Sequence, residues 1–380
     1  MRRPRRLAGI GRAALAAAAV TLLAGCSSSA RRPALNLAPE TWDRTVRELG
    51  LDPATVVCPV RATPEMQRAA LQYGGSGSDM ERLDRLHAAL LDGRDFAFEY
   101  EKVVTFTAAE AFEAKRGNCV SFSNLLIAFA RSIGIPLQAG LVLTRGDSER
   151  EGDFIVLYSH MVAVSFSGNS YSLYDFSRDR GRIDVPREMR LIDDLEIAAV
   201  ALSNRGVAAL REGDLAKAKD LLTKAVRLGP KLPDLHSNLG IVYWREGDVD
   251  SALATFARGL ELDPHRAALL HNLAALDLQL GRVAEARAAL AAASVDQASP
   301  YLLVVKGDLE YAAGDLRSAL RTYKKAHSRD RSLVSPLVGI ARVERSLGHP
   351  DAARKALEKA RRLNPDDEQV RELLKALPLP

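Results

Sequence analysis

Between residues 41 and 198 the spacing of hydrophobic positions changes along the chain, and the change separates helices from strands. Thr41 to Leu49 and Thr107 to Ala114 read as short helices. Gly74-Gly75-Ser76-Gly77-Ser78 must be a loop. After it, Met80, Leu83, Leu86, Leu90 and Leu91 fall at helical spacing. They predict a helix capped by Asp79 and stopped at Asp92-Gly93. Phe122, Leu125, Leu126, Phe129 and Ile133 step by three, one, three and four, which predicts a helix with a single buried stripe. Asn118 is a good N-cap for it, and Gly134 ends it before Ile135-Pro136.

Strands follow. Leu137 to Thr144 is apolar and β-branched, and Arg145 to Asp153 reads as a charged loop. Phe154 to Tyr158 and His160 to Phe166 read as strand. Ser167-Gly168-Asn169-Ser170 reads as a hairpin turn, with Tyr171 to Phe176 returning. With Gly168-Asn169 as the two-residue loop, Val162 faces Asp175. His160 and Asp175 are then diagonal neighbours on one face of the ladder.

From about Ala199 the chain repeats itself. Gly206, Gly240, Ala274, Gly307 and Ala341 lie at steps of 34, 34, 33 and 34. Gly213, Gly247, Gly281, Gly314 and Gly348 follow at a constant offset, as do Ala218, Ala252, Ala286, Ala319 and Ala353. Small residues at these points let paired helices cross closely. The pattern resembles the tetratricopeptide repeat, in five copies, with a cap helix over Asp366 to Leu377. The resemblance implies an all-α solenoid whose groove binds a protein or peptide. Asn204, Asn238 and Asn272, at matching repeat positions, and the aromatic Tyr243 are the candidates to line it.

The N-terminus changes the picture of charge and location. Five arginines precede an apolar run from Ala13 to Leu23, too short to span a bilayer comfortably. Leu23-Ala24-Gly25-Cys26 then resembles a bacterial lipobox. That resemblance implies a signal peptide over 1–25, lipid on Cys26, and a tether over 26–40. With Ser27 next, it implies the periplasmic face of the outer membrane. The chain carries +5 overall, and residues 1–25 hold five Arg and no acid, so the remainder is neutral. Charge therefore makes no case for nucleic acid. At 47% hydrophobic and 27% charged, the composition is that of a globular protein. No CxxC, HExxH or clustered His occurs, so no metal or other cofactor is expected. Cys58 and Cys119 could pair in an oxidising compartment, but their surroundings are unrelated and two free thiols are expected.

The chemistry concentrates at Cys119. A cysteine at a helix start meets free N–H groups and the positive end of the helix dipole, which favour a thiolate. Residues 116–136, RGNCVSFSNLLIAFARSIGIP, resemble the cysteine helix of the transglutaminase-like superfamily. His160, opening a strand, and Asp175, in YSLYDFS, resemble its other two catalytic positions in the same order. The resemblance implies an α+β, papain-like domain over 41–198, with the repeats over 199–380. It implies Cys119 as nucleophile, His160 as base and Asp175 as the group that orients the imidazole. Water resolving the thioester would give an amidase or peptidase, and an amine would give an acyl transferase. The alternative is an inactive domain of the same fold serving as a scaffold for envelope proteins. His87, like the remaining histidines, reads as structural or solvated. Gln72 is a candidate oxyanion donor by residue type alone.

Overall fold

The structure is a computed structural model that describes residues 37–91, 96–151, 154–167, 170–176, 189–292, 300–365 and 367–377. The lipobox, Cys26 and the tether to residue 36 lie outside the described residues, as do Gly168 and Asn169. All described residues belong to one compact unit.

The first half begins with α1 (Pro39–Glu48), which buries Trp42 and Val46. α2 (Pro64–Gly74), α3 (Asp79–Leu91) and α4 (Ala108–Ala114) follow, with β1 (Glu99–Tyr100) and β2 (Arg116–Gly117) forming a short parallel pair. The α3 cap is Ser78 rather than Asp79: Glu81 N–H donates to Ser78 Oγ at 3.4 Å, and Glu81 Oε2 accepts from Ser78 N–H at 2.9 Å. Next come α5 (Cys119–Ser132), β3 (Gln138–Glu151), β4 (Phe154–Ser167), β5 (Ser170–Tyr174) and β6 (Met189–Ile192). The four strands form one antiparallel sheet in the order β5-β4-β3-β6.

α5 is the centre of this half. It packs against α2, α3 and α4 and against β3 and β4. Every residue from Val120 to Arg131 is buried, not one stripe as the spacing predicts. The reason is a sheet on one side and helices on the other. The polar members of the helix then need partners. Ser123 Oγ donates to the Met161 carbonyl at 3.0 Å and Asn124 Nδ2 to the Phe106 carbonyl at 3.0 Å.

Of the segment expected as a charged loop, residues 145–151 are strand. β3 continues to Glu151, with Asp147 opposite Tyr158 and Glu151 opposite Phe154, after a register shift beyond Val142. A ladder bonds backbone to backbone, so side-chain charge does not forbid it. β3 and β4 thus form one long hairpin that projects past the rest of the sheet. On the other edge of β4, Ser167 pairs with Ser170 and Ala163 with Tyr174, which is the predicted register.

The second half is five helix pairs and a cap. They are α6 (Asp194–Arg211) with α7 (Leu215–Leu228), α8 (Pro233–Arg245) with α9 (Val249–Leu262), and α10 (Ala267–Gln279) with α11 (Val283–Ala292). α12 (Pro300–Ala312) with α13 (Leu316–Arg329), α14 (Ser335–Ser346) with α15 (Pro350–Leu363), and α16 (Glu368–Lys375) complete it. The repeated glycines make the turns inside each pair; Gly247, for example, sits at φ +80°. At Gly240 the pairs cross so closely that a Cβ would lie 2.5 Å from the Phe256 ring.

The two halves share cores. The boundary expected after residue 198 falls inside α6, whose Ile197, Ala198 and Val200 pack in the same core as Phe122 and Phe129 of α5. Arg131 of α5 meets Asp194 of α6 at 2.8 Å, with both side chains almost wholly buried. The projecting part of β4 lies on the inner helices of the solenoid: Phe154, Val156 and Tyr158 join a core with Val207, Leu239 and Trp244. Among the described residues no helix is long and apolar enough to cross a membrane.

Candidate active site

Cys119 is the first residue of α5. The turn before it is held from several directions. Asn118 caps the helix, its Oδ1 accepting from Ser121 N–H at 3.1 Å, while its Nδ2 donates to Thr105 Oγ1 at 2.7 Å. Ser121 Oγ accepts from Phe106 N–H at 2.8 Å. Gly117 sits at φ +145°, where a Cβ would lie 2.5 Å from the Ser121 side chain. Glycine is needed there on both counts. The thiol lies 3.9 Å from the Ser159 carbonyl.

His160 comes from the middle of β4 and Asp175 from the residue after β5. The hairpin register brings them together: Nε2 of His160 is 3.2 Å from Oδ2 of Asp175. The other Asp175 oxygen accepts from Phe176 N–H at 2.7 Å. With Nε2 on the carboxylate, Nδ1 is the ring nitrogen that Asp175 leaves unused, and His160 lines the same pocket as Cys119. Burial pushes the imidazole toward its neutral form. The hydrogen bonds and charges of Asp175 and Cys119 outweigh it and raise the His160 pKa to about 10. Asp175 is the converse: burial pushes it up, but His160 and the Phe176 N–H hold it below the ordinary carboxylate range. His160 and Asp175 therefore meet as the register predicts, and Cys119 shares a pocket with His160.

His87, read as structural from sequence, touches this site. Its Nε2 donates to the Asp175 carbonyl at 2.7 Å. The ring is buried edge-on between Phe122 and Tyr174, at centroid distances of 5.8 and 5.4 Å. Tyr174 in turn donates to Asp84 Oδ1 at 2.9 Å. His87 therefore fixes the backbone of the residue that orients His160. No sequence signal distinguished it from the other helical histidines, because its partner is a carbonyl 88 residues away. Gln72 is exposed on α2, outside the residues lining the pocket around Cys119.

The two predicted cysteines are free thiols. Cys58 is buried, and burial pushes its pKa up to about 11. Cys119 opens on a pocket lined by Tyr100, Lys102, Asn118, Tyr158, Ser159 and Asn204, together with His160. Among the described residues no three His, Cys, Asp or Glu side chains gather as metal ligands would.

Two of the three repeat asparagines are not placed as expected. Asn238 donates to the Leu157 carbonyl at 2.9 Å and accepts from Leu157 N–H at 3.1 Å. Asn272 does the same to Ile155, at 2.9 and 2.8 Å. These two side chains do hold an extended backbone, but it is β4 of the same chain. The expectation that they line a groove open to a partner is corrected accordingly. β4 ends its pairing with β5 at Ala163, so from there its outer edge needs other partners. Tyr243 does not join the row; its ring lies under the Lys219 ammonium, 5.1 Å away. Asn204, at the same repeat position, reaches the pocket of Cys119 instead.

Comparison with known proteins agrees with this architecture. Residues 67–176 match the family model of the transglutaminase-like superfamily. Residues 209–262, 243–303 and 310–377 match the tetratricopeptide repeat. No curated protein matches the chain at a significant level. Among solved structures, a thermophilic tetratricopeptide repeat protein of Thermus thermophilus is 20% identical over 47% of this chain and 97% of its own, with a TM-score of 0.43. Pseudomonas aeruginosa pilF is 21% identical over 48% of this chain and 89% of its own, at 0.40. Cut9–Hcn1 of the APC/C is 19% identical over 47% of this chain and 36% of its own, at 0.44. By the two family models, the chain carries a domain of the transglutaminase-like superfamily followed by a solenoid of tetratricopeptide repeats.

Proposed function

We propose that this chain is a cysteine-dependent amide hydrolase or acyl transferase acting on a protein or peptide. We place it at the periplasmic face of the outer membrane, held by lipid on Cys26, on the strength of the lipobox and Ser27. One observation carries the chemistry: His160 is held by the Asp175 carboxylate at 3.2 Å in the pocket that Cys119 also lines.

In this reading the Cys119 sulfur attacks an amide carbonyl carbon. The C–S bond forms as the C–N bond breaks, and His160 Nδ1 gives its proton to the departing amine. Asp175 keeps the imidazole in the tautomer and orientation the transfer needs. The N–H of Cys119, in the first helical position, has no acceptor within the helix and can donate to the developing oxyanion. Neutral His160 then takes a proton from water or from an amine, whose oxygen or nitrogen attacks the thioester carbon and releases the Cys119 sulfur.

The test is labelling. An electrophilic thiol reagent should modify Cys119 at least about tenfold faster than Cys58, whose pKa of about 11 leaves little thiolate at neutral pH. His160→Ala should abolish the difference. Slow and equal modification of both thiols would end the enzymatic reading.

A second reading, a non-catalytic platform, has one observation in its favour. The pocket at Cys119 is small, about 10 Å³. In that case Cys119→Ala preserves the cellular phenotype and removal of the repeats abolishes it.

A further inference from the structure

Asn204, Asn238 and Asn272 occupy one position in three successive repeats, on α6, α8 and α10. The second and third each hold one residue of β4 by both backbone groups, at Leu157 and Ile155. Those residues are two apart, so their outward backbone groups recur at the pitch of a strand. The next outward residue is Ser159, and Asn204 is the asparagine next in line. The rung is not made. The Ser159 carbonyl faces the Cys119 thiol at 3.9 Å, and Asn204 Oδ1 has no hydrogen-bond partner although the residue is only 2% exposed.

The other two carboxamides are oriented from behind. Asn238 Nδ2 also donates to Ser203 Oγ, and Asn272 Nδ2 to Ser237 Oγ, each at 3.1 Å. Each serine belongs to the preceding repeat. Asn204 is in the first repeat, so no earlier repeat supplies its serine. It stands in the wall of the catalytic pocket, beside Cys119 and His160, and its Oδ1, the atom with which Asn238 and Asn272 accept a strand N–H, is unused. A buried polar atom in that state has a free-energy cost until a ligand satisfies it.

We propose that Asn204 binds the main chain of an extended polypeptide substrate, its Oδ1 accepting a backbone N–H of the segment attached to the carbonyl that Cys119 attacks. The geometry is that of Asn238 on Leu157, transferred from the chain's own strand to the substrate. The repeats thus contribute a substrate-binding residue to the pocket itself. The site selects for an unsubstituted secondary amide in extended form, whatever its side chains. This inference rests on the reading of Cys119 as a nucleophile.

A series of tripeptide vinyl sulfones, N-methylated at one amide at a time, tests it in the full chain. Each rate of Cys119 modification is taken relative to that of methyl methanethiosulfonate, which has no N–H. In the wild type, methylation at one amide should lower the relative rate about tenfold, the loss of one hydrogen bond to a buried acceptor. In Asn204→Leu the unmethylated probe should already be slowed by that factor, and the same methylation should have no further effect. Asn204→Ala is expected to behave alike and serves if the leucine variant does not fold. A wild type indifferent to methylation at every position overturns the proposal, as does a variant that still discriminates. If methyl methanethiosulfonate modifies Cys119 no faster than Cys58 in the wild type, the nucleophile reading fails first, and this one with it.

Discussion

At the scale of single residues, the site is a cysteine and two groups that only folding brings to it. Asn118 and Gly117 are legible in sequence as the cap and turn of the Cys119 helix, because capping is local chemistry. His160 and Asp175 are legible as a pair because a two-residue hairpin loop sets the register of everything that follows it. His87 is not legible, because nothing local marks a histidine whose partner is a distant carbonyl. The His160 pKa of about 10 makes a testable statement about stability. An unfolded histidine titrates near 6.5, at about the ordinary value. Between that pH and about 10 the folded chain holds a proton that the unfolded chain has released. The stabilisation is thus complete below about 6.5 and is lost as pH rises through about 10. Denaturant unfolding of the wild type across this range should show stability falling with pH, and His160→Gln should flatten the slope. A wild type as steep as the variant would show that Asp175 and Cys119 do not hold the proton.

At the scale of elements, the projecting hairpin is the feature that sequence reading missed. Arg145 to Asp153 has the composition of a loop, yet β3 continues through it to Glu151, because β4 offers a backbone ladder on that side. The opposite edge of β4 would be an unpaired edge strand if carboxamides did not cover it. Asn238 substitutes there for a neighbouring strand. Asn238→Leu would leave the Leu157 N–H and C=O buried without these partners, at a cost on the order of 1–3 kcal/mol for each group. Urea unfolding should register the loss, and amide exchange at Leu157 should quicken markedly. Unchanged exchange at Leu157 would mean that the asparagine row does not hold the strand. The row is three members long; the matching positions in the fourth and fifth repeats are Val305 and Gly339.

At the scale of the whole molecule, the halves that the sequence separates share cores where they join. α6 begins the repeats and also completes the core around α5. The buried Arg131–Asp194 pair crosses the expected boundary. A chain of residues 37–198 should therefore not unfold cooperatively, since it ends inside α6. A chain of residues 37–292, which keeps α6, α8 and α10 against β4, should melt as a single transition. Circular dichroism melts of the two distinguish the outcomes, and a cooperative transition in the shorter chain would contradict the shared core. The sequence by itself determined the repeat period, the helix around Cys119, the hairpin register and hence the pairing of His160 with Asp175. All of these depend on local spacing or on the chemistry of residue types. Only the tertiary structure decided that the repeat asparagines grip the chain's own strand, that Asn204 enters the pocket, and that His87 supports Asp175. Those contacts join residues far apart in the chain, and the grips of Asn238, Asn272 and His87 end on backbone groups. Every residue but proline offers the same N–H and C=O, so the sequence carries no mark of which one is chosen.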